Sequence, residues 1–294
     1  MAELTQHAIT GTTSLVGLIG WPVRHSLSPT MHNTAFAVLG LDFAYVPLPV
    51  QPEHVEQALR GLVALNFKGC NVTVPHKQAV MRYMDELSDA ARLTGAVNTI
   101  HIKDGKFYGY NTDAYGFLQS LLEVNCDPKG MRVAVLGAGG AARAVVYALA
   151  RHGVGSMVVL NRTAQRAAFL VDDLADAFPD SDLSFEPLTS KALTALNSHI
   201  DLVINTTSVG MYPDVDSSPW PDDVSIAPHV TFCDLVYNPL ETVFLRQAAA
   251  AGVSTIDGVG MLVHQGAFGF EQWTGHEAPI EVMRQACMAK LRGN

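Results

Sequence analysis

The string Arg132-Val133-Ala134-Val135-Leu136 is an apolar strand that runs into Gly137-Ala138-Gly139-Gly140-Ala141-Ala142, a glycine pattern suited to phosphate binding. Gly137 permits a tight turn and Gly139 lets the backbone approach a pyrophosphate, while Ala142 keeps the next helix close to the strand. The free N–H groups at the start of that helix then face the phosphates. Glycine patterns of this kind also occur in ordinary strand-turn-helix joints. Here a helix follows and a second strand, Met157 to Leu160, completes the unit, which makes dinucleotide binding the better reading.

A carboxylate at the end of the second strand would accept hydrogen bonds from the ribose diol of NAD. This chain reads Asn161-Arg162-Thr163-Ala164-Gln165-Arg166 there. A neutral amide, two arginines and a hydroxyl can hold a 2′-phosphate that a carboxylate would repel, so the pattern favours NADP. The plainer alternative, in which Thr163 caps the next helix and both arginines are solvated, is compatible with that role.

Other residues near the ends of strands carry polar chemistry. In His25-Ser26-Leu27-Ser28-Pro29, two hydroxyls at a helix start form a clamp for a carboxylate, with Ser28 read as the N-cap and Pro29 as the first helical residue. In Asn71-Val72-Thr73-Val74-Pro75-His76-Lys77, a strand ends and projects Thr73 and Lys77 from its C-terminal edge, where open α/β sheets bind ligands. A lone lysine is usually a solvated charge, but this chain has only seven. Asn98 offers a carboxamide in the mostly apolar stretch Gly95 to Thr99, and Asp113 stands where Gly109-Tyr110-Asn111-Thr112 gives way to a helix. Gln265 lies on a helix otherwise lined with apolar residues, and its neighbour His264 reads as a packed or half-exposed histidine rather than an acid or base.

These residues must be held by alternating strands and helices. Strand-like runs at Leu15 to Ile19, Phe43 to Leu48, Cys70 to Val74, Val97 to Ile102, Met131 to Leu136, Met157 to Leu160, Leu202 to Asn205 and Thr231 to Leu235 predict crossover units and mostly parallel sheets. Helices are expected from Ser28 to about Leu39 and from Pro52 to Leu65, with a hairpin turn at Asp104-Gly105. The helical stretch Thr112 to Val124 ends at Cys126-Asp127-Pro128-Lys129-Gly130, and a domain junction is placed at that helix. The proline- and aspartate-rich segment 215–228 reads as a surface loop. Two closing helices, about Met261 to Trp273 and Ile280 to Leu291, are expected to pack back on the first domain. The fold class is therefore α/β in two domains: 1–113, an α/β substrate domain; 114–257, a doubly wound Rossmann-type domain; and 258–294, the returning helices.

Composition excludes several alternatives. With 28 acidic against 19 basic groups, a net charge of −9 and no Lys/Arg run, the chain has no electrostatic reason to hold nucleic acid. No run approaches the ~18 apolar residues of a membrane span. Glu3 without a basic region predicts no export signal, hence a cytoplasmic location. The four cysteines, Cys70, Cys126, Cys233 and Cys287, are widely spaced and read as reduced, buried thiols. Eleven histidines without an HExxH pattern predict no metal.

Taken together, HSLSP, NVTVPHK, GAVNT, GYNTDAYG, GAGGAA, NRT, CDLVY and DGVGMLVHQG occur in an order that resembles the shikimate dehydrogenase family over nearly the whole chain. The resemblance implies NADP-dependent reduction of 3-dehydroshikimate to shikimate, in the pathway towards aromatic amino acids, by a monomer or homodimer acting on a small molecule. It implies Lys77 as the catalytic lysine and proton donor, Asp113 as its carboxylate partner, and Ser26, Ser28, Thr73, Asn98, Tyr237 and Gln265 as substrate contacts. It further implies cofactor contacts from Gly137, Ala138, Gly139, Gly140, Ala141, Asn161, Arg162, Thr163 and Arg166, with Leu235 and Gly258 on the nicotinamide side.

Ala114 stands where the family usually has glycine, and His264 where a smaller residue is common. Relatives that also oxidise quinate are therefore an alternative, although Ser28, rather than threonine, leans towards shikimate. A catalytically silent NADP(H)-binding sensor is the rival of a different class; it would be expected to lack Lys77 or Asp113, and both are present.

Overall fold

The computed structural model describes residues 9–293, so Glu3 lies outside the described residues. They divide into two compact units, one holding the residues through Gly116 together with those from Val263 on, the other Phe117–Leu262. The expected junctions at 113 and 257 fall close to the two helices, α4 and α9 below, within which the chain passes between units.

The first unit is built from β1 (Ser14–Gly20), α1 (Ser28–Leu39), β2 (Phe43–Pro49), α2 (Val55–Ala64), β3 (Gly69–Val72), β4 (Glu86–Leu87), α3 (Asp89–Thr94), β5 (Thr99–Lys103), β6 (Lys106–Tyr110) and the first turns of α4 (Thr112–Leu122). Its sheet is ordered β2-β1-β3-β5-β6-β4. The sheet is more mixed than the strand-helix alternation predicts. β1 pairs in parallel with β2 and β3, but β5 runs antiparallel to β3 and also to β6, the latter because Asp104-Gly105 closes a hairpin in which both residues take positive φ. Leu59 and Leu62 of α2 pack with Ile19, Val72, Val97 and Ile100 into the core beneath this sheet. β3 ends at Val72, two residues before the expected Val74, because Pro75 has no N–H to continue a ladder and the chain turns at Thr73.

α1 also starts differently from the expectation. Leu27 is its N-cap, Ser28 is already helical, and no side chain caps the end. Ser26 instead accepts the Ser28 backbone N–H on its Oγ at 3.2 Å, so the local turn chemistry sits one hydroxyl earlier.

The second unit continues with the rest of α4, then β7 (Arg132–Leu136), α5 (Gly140–His152), β8 (Ser156–Asn161), α6 (Ala164–Ala175), β9 (Asp182–Pro187), α7 (Ser190–Leu196), β10 (Leu202–Asn205), β11 (Thr231–Asp234), α8 (Val243–Ala250), β12 (Thr255–Ile256) and the start of α9 (Val259–Thr274). Its sheet is parallel throughout, ordered β12-β11-β10-β7-β8-β9, which is the doubly wound arrangement with a switch of direction between β7 and β10. Trp220, Phe232 and Phe244 pack in its core, Trp220 edge-on to Phe232 and Phe232 tilted against Phe244, with ring centroids 5.0 and 4.9 Å apart along the series. The segment 215–228 has no regular element, yet Trp220 and Val224 within it are buried; it is a loop that anchors itself in the core.

After α9 enters the first unit, α10 (Ile280–Arg292) completes it by packing on α1 with Met283 and Cys287 buried. Gly266 allows α9 to approach α1 closely, since a Cβ there would lie 2.2 Å from the Met31 methyl carbon. Trp273 at the far end of α9 donates its Nε1–H to the Ile100 carbonyl at 3.0 Å. Among the described residues no helix is long and apolar enough to cross a membrane, and no group of three His, Cys, Asp or Glu is placed to hold a metal.

Candidate active site

In the first unit the turn after β3 is what presents Lys77. Buried His76 bonds through Nε2 to the Val50 carbonyl at 2.7 Å, and the Lys77 carbonyl accepts the Val97 N–H at 2.8 Å. With its neighbours pinned in this way, Lys77 places Nζ 2.6 Å from Asp113 Oδ2 at the start of α4. The Lys77 side chain is 31% exposed and that of Asp113 15%, so the pair is sheltered but open to a small molecule.

Asp113's other oxygen, Oδ1, accepts Asn98 Nδ2 at 2.7 Å. Lys77, Asn98 and Asp113 are thus one constellation, brought together from the β3 turn, the start of β5 and the start of α4. Both carboxylate oxygens are engaged by donors, which leaves the lysine as the member that can exchange a proton with a ligand. Thr73 sits in the same turn as Lys77, where its carbonyl accepts the His76 N–H at 2.9 Å. Ser28 is buried at the start of α1 and Ser26 is half-buried. Gln265 is half-buried on α9, next to the glycine that meets α1.

Several buried polar residues behind these groups lack a recognisable motif in the sequence. Tyr45 donates to Asn71 Oδ1 at 2.7 Å, Asn71 donates to Thr99 Oγ1 at 2.9 Å, and Thr99 and Thr112 share a hydrogen bond at 3.3 Å. Burial raises the Tyr45 phenol well above its ordinary value, against hydrogen bonding from the Ser28 side chain. His32 stacks flat on Tyr45 at 4.4 Å, is fully buried, and has no hydrogen-bond partner on either ring nitrogen. Burial lowers its imidazole to about 3. The only available signal was polar residue types inside otherwise apolar strands and on a buried helix.

The second unit holds the glycine turn. Gly137 takes φ +112, a region that disfavours L side chains, and a Cβ there would lie 2.6 Å from the Thr206 hydroxyl. That hydroxyl bonds the Leu136 carbonyl at 2.7 Å, so the loops after β7 and β10 meet at the switch of the sheet. Gly139 and Gly140 face open space, no side chain caps α5, and its first turn has no acidic residue. A pyrophosphate fits this cradle: the backbone is accessible and N–H groups await an acceptor. Ala138 and Ala141 complete the turn, and buried Ala142 sits at the helix-strand contact.

At the end of β8, Asn161 Nδ2 donates to the Thr163 carbonyl at 2.9 Å. Thr163 is the N-cap residue of α6, yet its side chain makes no capping hydrogen bond, contrary to the plainer expectation. Arg162, Thr163 and Arg166 are all exposed, and neither guanidinium is ion-paired among the described residues. A 2′-phosphate therefore has free donors here. Leu235 follows β11, with its N–H on the Asn205 carbonyl at 3.0 Å, and Gly258 packs against the Leu235 carbonyl. Tyr237 lies two residues further on and is half-buried. Beneath them Asp234 accepts Thr242 Oγ1 at 2.6 Å, Asn205 Nδ2 at 2.9 Å and the Val236 N–H at 3.0 Å. Burial nevertheless pushes this carboxyl up to about 6.

Family models match three stretches of the chain. Residues 18–100 match the shikimate dehydrogenase substrate binding domain, 120–212 shikimate / quinate 5-dehydrogenase, and 258–288 the shikimate 5′-dehydrogenase C-terminal domain. The shikimate dehydrogenase (NADP(+)) of Moorella thermoacetica is 49% identical over 275 residues, covering 94% of this chain and 92% of that protein. The chain belongs to the shikimate dehydrogenase family. Two solved structures of that family superpose closely. The Listeria monocytogenes shikimate 5-dehydrogenase, in complex with shikimate and NAD, is 37% identical with a TM-score of 0.90, covering 94% of this chain and 97% of that one. The Thermus thermophilus shikimate 5-dehydrogenase, in complex with NADP(H) and shikimate, is 37% identical with a TM-score of 0.84, covering 94% and 99%. Family membership accounts for the pairing of a mixed-sheet unit with a doubly wound one, the α/β two-domain fold expected from the strand-helix pattern.

Proposed function

We propose that this chain is an NADP-dependent shikimate dehydrogenase that reversibly reduces 3-dehydroshikimate to shikimate in the cytoplasm, on the route to aromatic amino acids. The observation that carries the reading is the Lys77–Asp113–Asn98 constellation. Bound NADPH supplies the hydride, the chemistry the protein itself lacks. Lys77 Nζ gives the carbonyl oxygen its proton in reduction and takes it back in oxidation. Asp113 holds the ammonium and Asn98 holds Asp113. Ser26, Ser28 and Tyr237 bind the substrate carboxylate, while Thr73, Asn98 and Gln265 make further substrate contacts, fixing the ring for reaction. Gly137 to Ala141 hold the pyrophosphate, and Asn161, Arg162, Thr163 and Arg166 hold the 2′-phosphate. Leu235 and Gly258 line the nicotinamide side.

Quinate is the second reading, supported by the family model over 120–212 that covers both substrates. Shikimate is favoured by Ser28, which stands in place of threonine, and by buried Ala114, which adds no polar group for quinate's extra hydroxyl.

The test is steady-state oxidation of shikimate and quinate, each with NADP and NAD. The expected result is shikimate turnover with roughly 10²-fold preference for NADP in kcat/KM, since two charged hydrogen bonds contribute ~1.5–3 kcal/mol each before solvent screening. Arg162→Ala should raise KM for NADP and leave NAD nearly unchanged, with the wild-type preference shrinking at high salt. A cofactor ratio unmoved by the substitution removes the 2′-phosphate assignment. Absence of any shikimate-dependent absorbance rise, with cofactor binding intact, favours the silent sensor. Ser28→Ala should mainly raise KM, because a carboxylate clamp binds ground state and transition state alike; a normal KM would place the carboxylate elsewhere.

A further inference from the structure

The buried polar residues behind Asp113 form one directed chain. At one end, Asn71 Nδ2 donates to the Asn98 carbonyl at 3.3 Å, which only an N–H can do, so Asn71 Oδ1 must be the atom facing Tyr45. At the other end, Asn98 Oδ1 accepts the Thr112 backbone N–H at 2.7 Å, so Asn98 Nδ2 must face the Asp113 carboxylate. Both amides are thereby oriented by backbone groups rather than by rotatable hydroxyls. The Thr99 oxygen takes one hydrogen from Asn71, and the Thr112 oxygen takes one from Asn98 at 3.0 Å. Thr112 in turn donates its own hydrogen to Asn98 Oδ1 at 3.2 Å, so the hydrogen between the two threonines comes from Thr99. The donors then run from Tyr45 through Asn71, Thr99, Thr112 and Asn98 to Asp113, where Lys77 closes the series from the opposite side.

We propose that Tyr45, Asn71, Thr99 and Thr112 are positioning residues that hold Asn98, and through it the Asp113 carboxylate, in register with Lys77. This rests on the proton-transfer reading of Lys77 given above. The chain cannot serve as a proton wire, because a relay needs every member to accept one proton and release another, and two carboxamides interrupt it. Its value is geometric. All five residues from Tyr45 to Asn98 are buried, so an unmade bond cannot be replaced by bulk water and the favoured arrangement is single. Thr112 is the junction: it touches both amide atoms of Asn98 and also Thr99.

The experiment is Thr112→Val, which preserves shape and backbone N–H but removes the hydroxyl, beside Thr112→Ser, which restores it. With shikimate and NADP, Thr112→Val is expected to lower kcat about tenfold with KM within about threefold, and Thr112→Ser to recover most of the loss. Thr99→Val, one bond further from the carboxylate, should lower kcat by a smaller factor and also serves if Thr112→Val does not fold. Normal kcat in the valine variants, or a serine variant no better than valine at equal thermal stability, overturns the proposal. Wild-type protein without shikimate turnover would instead overturn the reading on which it rests.

Discussion

Lys77→Met is expected to keep the fold and NADPH binding while losing shikimate turnover by about 10²-fold or more, the range associated with general acid-base catalysis. The substitution removes the ammonium and retains an unbranched stem. The turn that carries residue 77 is held by backbone and neighbouring groups, the Lys77 carbonyl on Val97 N–H and the His76 ring on Val50, so it does not depend on the lost charge. Asp113 keeps its Asn98 bond, and its 15% exposure lets water take the vacated oxygen. The expected signature is therefore a fall in kcat with NADPH affinity, read by nucleotide fluorescence, unchanged. A near-normal kcat would rule out proton transfer by Lys77.

The second large effect is expected in acid, at His32. Its imidazole is enclosed by Tyr45, Phe36, Phe270 and Trp273 with no partner on either nitrogen, and burial lowers it from 6.5 to about 3. The unfolded chain binds a proton here below 6.5 that the folded chain refuses until about 3. Stability is thus undiminished at pH 7 and falls as pH drops through that window. At roughly 1.4 kcal/mol per pKa unit, the loss by pH 4 is on the order of 3 kcal/mol. His32→Phe removes the titration, so urea unfolding at pH 7 and pH 4 should show a smaller acid loss in the variant by about that amount. Comparing the two pH values within each protein cancels any cost of the larger ring. Equal acid losses in both proteins would show that His32 has no part in the response. Asp234, in the other unit, acts with the opposite sign. Its carboxyl rises from 3.8 to about 6, so the folded state retains a proton there and that contribution weakens as pH increases through the window.

Much of this molecule was readable from local pattern. The strand, glycine turn and helix from Arg132 to His152 are contiguous, and so are the Asp104-Gly105 hairpin and the donors after Leu160; short-range sterics and hydrogen bonding suffice to specify each. β9 was not readable, because Asp182–Pro187 is a largely exposed edge strand with no buried face to impose alternation. The cap expected of Ser28 is absent for a related reason: either hydroxyl suits a helix start, but the path of the preceding turn makes Leu27 the N-cap and sets Ser26 Oγ on the Ser28 backbone N–H. The network behind Asp113 lay furthest from view. Residue types announce that Tyr45, Asn71, Thr99 and Thr112 can hydrogen-bond, but direction and partner arise when β2, β3, β5 and α4 pack and water is excluded. His32 is the same case with the opposite outcome. Nothing in its local sequence singles it out, and only the aromatic rings of β2 and α9 closing around it make it a buried neutral ring, because burial is a property of what arrives from elsewhere in the chain.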